Sequence, residues 1–188
     1  MVKKKKELIR VKLLASQEFG NKEITETFCT DTSLLINRRF YLNLTELVDT
    51  DKYQYKIWFR IFKVENGIAY SRFDGVESMR EHIQSHVYPG IKRINVFVNV
   101  DTKDNAKLRV KYILTFKKGL KGKQEKAIRK IVEEQTKKIL SEMTLNEILE
   151  NMILKNSVFK KIEKEVRKIK PPVFFDIIKI ERKDKIAA

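Results

Sequence analysis

Lysine residues between a predicted strand and a predicted helix are the side chains with the clearest chemistry in this sequence. The segment from Lys117 to Lys123 has the sequence KKGLKGK. Its two glycines allow a backbone to approach a phosphate closely, and its lysines and the following helix N-terminus supply positive charge. The P-loop order G-x-x-x-x-G-K-[ST] is absent. We interpret the segment as a loop for an RNA backbone, with a mobile loop that binds nothing as the alternative.

The distribution of charge supports this interpretation. The chain contains 41 Lys and Arg against 25 Asp and Glu, which gives a formal net charge of +16. The cations concentrate in residues 3–12, 117–130 and 155–170, whereas residues 18–51 are rich in carboxylates. A polyanion is the expected partner of such a surface, because each neutralised phosphate releases counterions. The charge pattern therefore favours nucleic acid binding over a solvated charge run that serves solubility.

Two smaller groups of residues could do metal chemistry but lack the partners that it needs. His82 and His86 are the only histidines, and they lie four residues apart on a predicted helix. Because Ile83 follows His82, there is no HExxH motif and no general base beside the rings. Asp101 and Asp104 flank a predicted turn, whereas a nuclease needs carboxylates that converge from several elements. We therefore predict no metal site and no cofactor.

Cysteine content and the lengths of the apolar runs indicate the cellular compartment. Cys29 is the only cysteine, so an internal disulfide and a cysteine-rich zinc site are excluded. Its expected role is that of a small buried hydrophobe. Charged residues interrupt the apolar stretch after the basic start, and no run reaches the roughly 18 apolar residues of a membrane span. We expect a cytoplasmic protein that does not bind a membrane.

The first half of the chain has the pattern of β structure. Residues 39–47 and 53–64 are β-prone runs separated by a polar turn. Apolar side chains occur on both faces of the second run, which favours a strand covered on both sides, in a small barrel or under a helix. The aromatic residues of this region are therefore assigned to packing rather than to base stacking; they are Tyr53, Tyr55, Trp58, Phe59 and Phe62.

Turn signals divide the rest of this half into hairpins. Asn66-Gly67 predicts a type I′ hairpin turn, because both central residues of that turn need positive φ. Ser78 and Glu81 have capping-box spacing and predict a short helix that reaches about His86. A second hairpin is predicted from residues 94–100 and 108–116. On its returning strand, basic residues alternate with apolar ones, so one face should be basic.

From residue 123 the apolar period becomes helical. Apolar residues recur at three and four positions from Ala127 to Met143, which predicts an amphipathic helix. Thr144 and Glu147 form a second capping-box pattern, and a third helix is predicted to end before Pro171-Pro172. Residues 173–180 then predict a closing strand.

Short stretches in order along the chain resemble the small-subunit ribosomal proteins of the eS1 family, formerly S3Ae, and its archaeal members in particular. The matching stretches are residues 19–27, 55–57, 73–75, 98–104, 107–110 and 124–131, with Pro171 in a similar closing segment. The chain departs from the family around residues 9–11, 15–16, 79–81 and 104–106. Arg80, the second hairpin and the helix start at Lys126 to Lys130 remain intact.

The resemblance implies a fold class and a domain organisation. It implies an α+β fold with an antiparallel β-barrel-like core built from hairpins, a short helix after the first hairpin, a C-terminal helical segment and a closing strand. We expect a basic N-terminal extension over residues 1–18 and a single rRNA-binding domain over 19–188. That domain would be β-rich over 36–116 and helical over 123–170, with the closing strand at 173–181.

The resemblance also implies a non-enzymatic structural protein of the small-subunit platform, near the mRNA exit and the rRNA 3′ end. Its partners would be small-subunit rRNA, neighbouring platform proteins and, near the exit, mRNA. The cations expected to contact RNA are Lys3, Lys4, Lys5, Lys6, Arg72, Arg80, Lys103, Lys107, Arg109, Lys111, Lys117, Lys118, Lys121, Lys123, Lys126, Arg129 and Lys130. The alternatives are a stand-alone RNA-processing enzyme and a general nucleic-acid chaperone.

Overall fold

A computed structural model describes residues 8–117 and 119–184, which form one branched sheet and a set of helices. The strands are β1 (Ile9–Leu14), β2 (Glu23–Cys29), β3 (Arg39–Asn43), β4 (Tyr55–Glu65), β5 (Ile68–Ser78), β6 (Ile91–Asp101), β7 (Lys107–Lys117) and β8 (Phe174–Arg182). The α-helices are α1 (Leu44–Leu47), α2 (Arg80–Ser85), α3 (Gly122–Ser141), α4 (Leu145–Ile148) and α5 (Ser157–Arg167). A π-helical turn spans Leu149–Leu154.

Asparagine-containing turns set the register of the two long hairpins. Asn66 and Gly67 have φ of 50° and 76°, and they join β4 to β5 in the predicted type I′ manner. Asn105 has a φ of 57° in the turn between β6 and β7. In that turn Thr102 accepts a hydrogen bond from the Ala106 backbone N–H at 3.1 Å. Both predicted hairpins are therefore confirmed.

The sheet is open rather than closed into the expected barrel. Its main path is β2-β1-β5-β8-β7-β6, and the β3-β4 pair joins β5 on another side. At the β6 edge, the Arg129 side chain of α3 donates to the Asn95 carbonyl, and α3 packs along this strand. This helix covers the β6 edge, and no strand pairing closes the sheet among the described residues. The α+β part of the prediction is confirmed and the barrel-like part is not.

β5 is the strand at which the sheet branches. Its first half lies between β1 and β4, and its last residues lie between β4 and β8. At Gly75 the approach to β8 is very close, since a Cβ there would lie 2.2 Å from the Ile180 carbonyl oxygen. Only glycine fits this position, so Gly75 permits the junction between the two halves of the sheet.

Helices cover one face of the sheet, here called the inner face. Val96, Val110 and Tyr112 of the second hairpin are buried in one cluster with apolar residues of α3 and α5. The apolar stripe of α3 supplies Ile128 and Val132 to it, as the period predicted. The opposite face of the second hairpin carries Arg109, as the alternation predicted. We call this opposite side the outer face.

A second, smaller cluster lies under β1 and β2. It contains Val11, Leu13, Cys29, Leu35, Ile61 and Ala69. Cys29 is 7% exposed, which confirms its prediction as a buried hydrophobe. Part of the stretch expected as an N-terminal extension thus forms β1, which pairs with both β2 and β5.

Two local predictions were wrong: the extent of the strand after Arg39 and the cap of the short helix α2. Asn43 and Glu46 form a capping box, which starts α1 where a longer strand was expected. Ser78, by contrast, is the last residue of β5, and its hydroxyl makes no cap to α2. The N-cap of α2 is Met79, and the helix ends at Ser85.

Candidate nucleic-acid interface

The junction between β7 and α3 gathers a group of lysines at one end of the second hairpin. β7 ends at Lys117, Gly119 turns the chain with a φ of 93°, and α3 begins at Gly122. Gln124 Oε1 accepts a hydrogen bond from the Lys121 backbone N–H at 3.0 Å, which fixes the start of the helix. We call the cations at this junction the hairpin–helix cluster; they are Lys92, Lys117, Lys121, Lys123, Lys126, Arg129, Lys130 and Lys170.

Two members of the cluster came only from the structure. Lys92 pairs with Phe116 across the hairpin, and its ammonium lies 3.4 Å from Glu125. Lys170 follows α5 and donates to the Lys117 carbonyl at 3.3 Å. Both residues are distant in sequence from the KKGLKGK segment, so no local pattern could assign them to it.

Negative charge within the cluster is small and already engaged. Glu125 accepts from Arg129 at 2.8 Å and contacts Lys92. Hydrogen bonds from Arg129 and Lys92 outweigh partial burial and lower the pKa of Glu125 below its ordinary value. Arg129 also donates a hydrogen bond to the Asn95 carbonyl, so part of its role is to hold α3 against β6.

Four lysines of the cluster are available to a ligand. Lys117, Lys121, Lys123 and Lys126 are exposed, and none forms an ion pair with another residue that the structure describes. Together with the N-terminus of the 20-residue helix α3, they create a local positive potential. This arrangement suits several phosphates of one backbone.

A second basic group lies at the opposite end of β7, around Asp184. Asp184 accepts from Arg182 Nε at 2.8 Å and from the Lys107 backbone N–H at 2.8 Å. Burial would raise the pKa of Asp184, but these hydrogen bonds outweigh it, so the pKa falls. Arg72 donates to the Asp184 carbonyl at 2.8 Å, and burial, with help from Arg182, lowers its pKa. Arg72 therefore ties β5 to the end of β8.

The predicted cations do not form one patch. Lys107 and Lys117 are at the two ends of β7, which at about 3.3 Å per residue places them about 33 Å apart. Lys103 is exposed in the hairpin turn, near the Lys107 end. Arg109 and Lys111 lie between the two ends, on the outer face.

The other predicted cations have different positions. Arg80 is the exposed first residue of α2. Lys3, Lys4, Lys5, Lys6 and Lys118 lie outside the described residues.

The two histidines are engaged in structural contacts. His82 Nε2 lies 3.2 Å from Asp176 Oδ2, and the other oxygen of Asp176 accepts from the Tyr55 hydroxyl at 2.5 Å. Burial and the Asp176 carboxylate raise the pKa of Tyr55. The His86 ring stacks on Phe174 with centroids 3.8 Å apart. Among the described residues there is no group of three or more side chains that could hold a metal ion.

The aspartates that could have suggested a nuclease are also used locally. Asp104 Oδ2 accepts a hydrogen bond from the Leu145 backbone N–H at 2.9 Å, so it stabilises the start of α4. Thr144 and Glu147 form the predicted capping box at the same helix. Asp101 is exposed at the end of β6.

Three of the aromatic residues that the sequence assigned to packing are not buried. Tyr53 and Phe62, assigned above to packing, are 67% and 43% exposed, whereas Tyr55 and Phe59 are buried as predicted. Trp58 is half-buried and points to the outer side with Lys56. The signal was present, since Lys56 and Arg60 share the alternating face of Trp58 and mark it as outward.

No helix in the described part of the chain is both long and apolar enough to cross a membrane.

Comparison with known proteins gives a consistent answer. The Ribosomal S3Ae family matches residues 2–185. A protein of Methanopyrus kandleri named small ribosomal subunit protein eS1 is 33% identical over 164 residues, which cover 85% of this chain and 77% of that protein. The eS1 protein of Methanothermobacter thermautotrophicus is 32% identical, with 86% and 83% covered. That of Archaeoglobus fulgidus is 31% identical, with 90% and 81% covered.

The family match extends over nearly the whole chain, and each of these relatives covers at least 85% of it. The expected resemblance is thereby confirmed, and the chain belongs to the Ribosomal S3Ae family, whose members are ribosomal proteins and not enzymes.

Proposed function

We propose that this protein is a structural constituent of the small ribosomal subunit and binds rRNA through contacts between its lysines and arginines and the RNA phosphates. Its place would be the platform of the cytoplasmic ribosome, near the mRNA exit and the rRNA 3′ end. Platform proteins, and mRNA near the exit, would be its further neighbours.

The observation that carries the proposal is the hairpin–helix cluster. Four exposed lysines without an ion-pair partner among the described residues surround the start of a long helix, in a chain whose relatives are named small ribosomal subunit proteins. Exposed cations without an ion-pair partner favour a polyanion, because a bound phosphate releases counterions without breaking an internal ion pair.

The test is a salt titration of binding to small-subunit rRNA. Replacing Lys117, Lys121, Lys123 and Lys126 by Ala should weaken binding and reduce the slope of log affinity against log salt by roughly 0.7 to 0.9 per lost phosphate contact. The matched control replaces Lys137 and Lys138, two exposed lysines of the same helix. They lie about 20 Å or more from its start at about 1.5 Å per residue. An unchanged slope in the four-lysine variant would remove the cluster from the interface.

The proposed location has its own test. A footprint of the bound protein on small-subunit rRNA should protect nucleotides near the 3′ end. Protection confined to other regions would contradict the platform position while leaving rRNA binding itself intact.

A further inference from the structure

One end of the outer face carries an exposed aromatic ring among cations. Phe97 of β6 is 55% exposed, and the Lys111 ammonium of β7 lies 5.0 Å from its ring centroid. In the next pair on the same face of the hairpin, Arg109 donates a hydrogen bond to Asn99 Oδ1 at 2.9 Å. Neither Lys111 nor Arg109 forms an ion pair with a described carboxylate. The ring and both cations are therefore open to a ligand from the same side.

The other end carries a second aromatic group, on β3 and β4. Tyr41 and Trp58 are cross-strand partners whose ring centroids lie 5.0 Å apart, and Tyr41 is 51% exposed. Arg39 lies 4.9 Å from the Trp58 ring centroid, and Lys56 lies 5.0 Å from that of Tyr41. The Trp58 indole N–H donates to Glu77 at 3.0 Å, which fixes the orientation of the ring.

The strand register joins these two ends into one surface. Phe97 pairs with Lys111, Lys111 with Lys179, Lys179 with Glu77 and Glu77 with Lys56, across five adjacent strands. Four strand spacings of about 4.8 Å separate the Phe97 ring from the strand of Trp58, or about 19 Å. Trp58 itself pairs with Gly75 of β5, which has no side chain to cover the indole ring. We call this surface the aromatic strip.

Charge along the aromatic strip is positive. Its cations are Arg39, Lys56, Arg109, Lys111 and Lys179, and its carboxylates are Glu77 and Glu181. Glu77 is used by the Trp58 indole, and Glu181 is held by Lys179 and Lys183 at 2.8 and 2.6 Å. Both carboxylates are thus satisfied internally. Arg39 is ion-paired with the buried Asp74 at 2.6 Å, whereas Lys56, Arg109 and Lys111 form no ion pair with a described carboxylate and stay available.

We propose that the aromatic strip binds an unpaired segment of RNA, with bases stacked on Phe97 and on the Tyr41–Trp58 pair and phosphates held by the cations between them. This inference rests on the proposed RNA-binding function and names the form of RNA that this face takes. Aromatic rings in a basic groove bind single strands because every base has a face that can stack, whereas a duplex hides its bases.

Trp58 supplies the test, because it is the only tryptophan of the chain. A single-stranded RNA of about ten nucleotides, within the usual range of ~4–16 for one such surface, should quench Trp58 emission. The same strand annealed to its complement should quench it at least about tenfold more weakly at equal concentration. Equal quenching by the two forms would show that charge alone attracts RNA here and would overturn the inference.

Exposed phenylalanines on different strands give a matched pair of variants. Phe97→Ala should weaken single-strand binding about tenfold, since one stacked base is lost. Phe28→Ala removes a ring that is 60% exposed on β2, at the far end of the sheet, and should leave binding unchanged. Equal effects of the two variants, or no effect of either, would overturn the inference. Tyr41→Ala should lower both affinity and maximal quenching.

The four-lysine variant of the hairpin–helix cluster separates this inference from the proposed function. It should lose rRNA affinity but retain the quenching of Trp58 by single-stranded RNA. Wild-type protein that binds rRNA without any single-strand quenching would refute the aromatic strip and leave the proposed function standing. Quenching by single-stranded RNA without rRNA binding would support the aromatic strip and refute the proposed function. If single-stranded RNA does not quench Trp58, a neighbouring protein rather than RNA becomes the candidate ligand of the aromatic strip.

Discussion

The hairpin–helix cluster and the aromatic strip are both cationic, but they hold their cations in different ways. In the cluster, Lys121, Lys123 and Lys126 extend from a helix start without a partner among the described residues. In the strip, Arg39 and Lys111 lie against aromatic rings, and Arg39 is also bound to Asp74. The cluster can respond only to phosphate charge. The strip can in addition distinguish a base whose face is free.

The two regions also depend differently on the rest of the fold. The four exposed lysines of the cluster need only one hairpin end and one helix start, both of which form from local sequence; Lys170 joins them from the end of α5. The strip needs six strands from both halves of the chain in a fixed register, joined at Gly75. Substitutions at that joint should therefore affect the strip first.

The largest effect is expected at Gly75. Gly75→Ala places a Cβ against the Ile180 carbonyl oxygen, so β5 and β8 must separate, and the free energy of unfolding should fall by about 3 kcal/mol. Urea unfolding measures it. The control is Gly122→Ala, which has no atom within 4 Å of the new Cβ and should be neutral or slightly stabilising. Equal stability of the two variants would contradict the tight junction.

The second-largest effect is expected at the buried carboxylate of Asp74, next to the aromatic strip. Asp74 is 3% exposed and takes Arg39 Nε at 2.6 Å and Arg60 Nε at 3.0 Å. Asp74→Asn should lower the free energy of unfolding by about 2 kcal/mol, because it leaves two guanidinium groups short of a counter-charge. It should also release Arg39 from Trp58 and change the tryptophan emission. Asp51→Asn, at an exposed position, should do neither.

His82 in α2 and His86 just after it belong to neither region, and a double variant should show it. His82→Ala with His86→Ala should leave RNA affinity within about tenfold, or about 1.4 kcal/mol. Thermal or urea unfolding should show a loss of about 1 kcal/mol, since the stacking on Phe174 and the contact with Asp176 disappear. Stabilisation of wild type by Zn²⁺, absent in the variant, would instead support a metal site.

The smallest effect concerns pH. Hydrogen bonds from Lys179 and Lys183 lower the pKa of Glu181 to about 2 from its ordinary 4.5. This stabilisation is complete above pH 4.5 and disappears as the pH falls toward 2. Because these lysines are partly exposed, Glu181→Gln should cost about 1 kcal/mol at pH 7 and nothing near pH 2. Glu142→Gln, an exposed control, should show no such pH dependence.

The parts of the fold that followed from sequence are those whose signals are local. Asn66-Gly67 specified its turn because few residues accept positive φ. The stripe of α3 and the Thr144 capping box gave two helices close to their observed bounds. β2 gave no signal, because Thr25, Glu26 and Thr27 interrupt any apolar alternation on this largely exposed edge strand.

The candidate site divides in the same way. Lys117, Lys121 and Lys123 could be found because charge, glycine and a strand-to-helix change coincide within one segment. Lys92 and Lys170 could not, since only the hairpin and the end of α5 bring them to it. Arg72 has the charge of an RNA ligand, but its contact with the Asp184 carbonyl gives it a structural role.

By itself the sequence determined the net charge, the hairpins, the long helices and the lysine-rich junction, because turn dihedrals, apolar periods and charge runs act over a few residues. Only the tertiary structure decided that the sheet stays open and that Phe97, Lys111, Trp58 and Tyr41 share one face. The pairing of distant strands depends on burial and hydrogen bonds between segments that no local pattern connects.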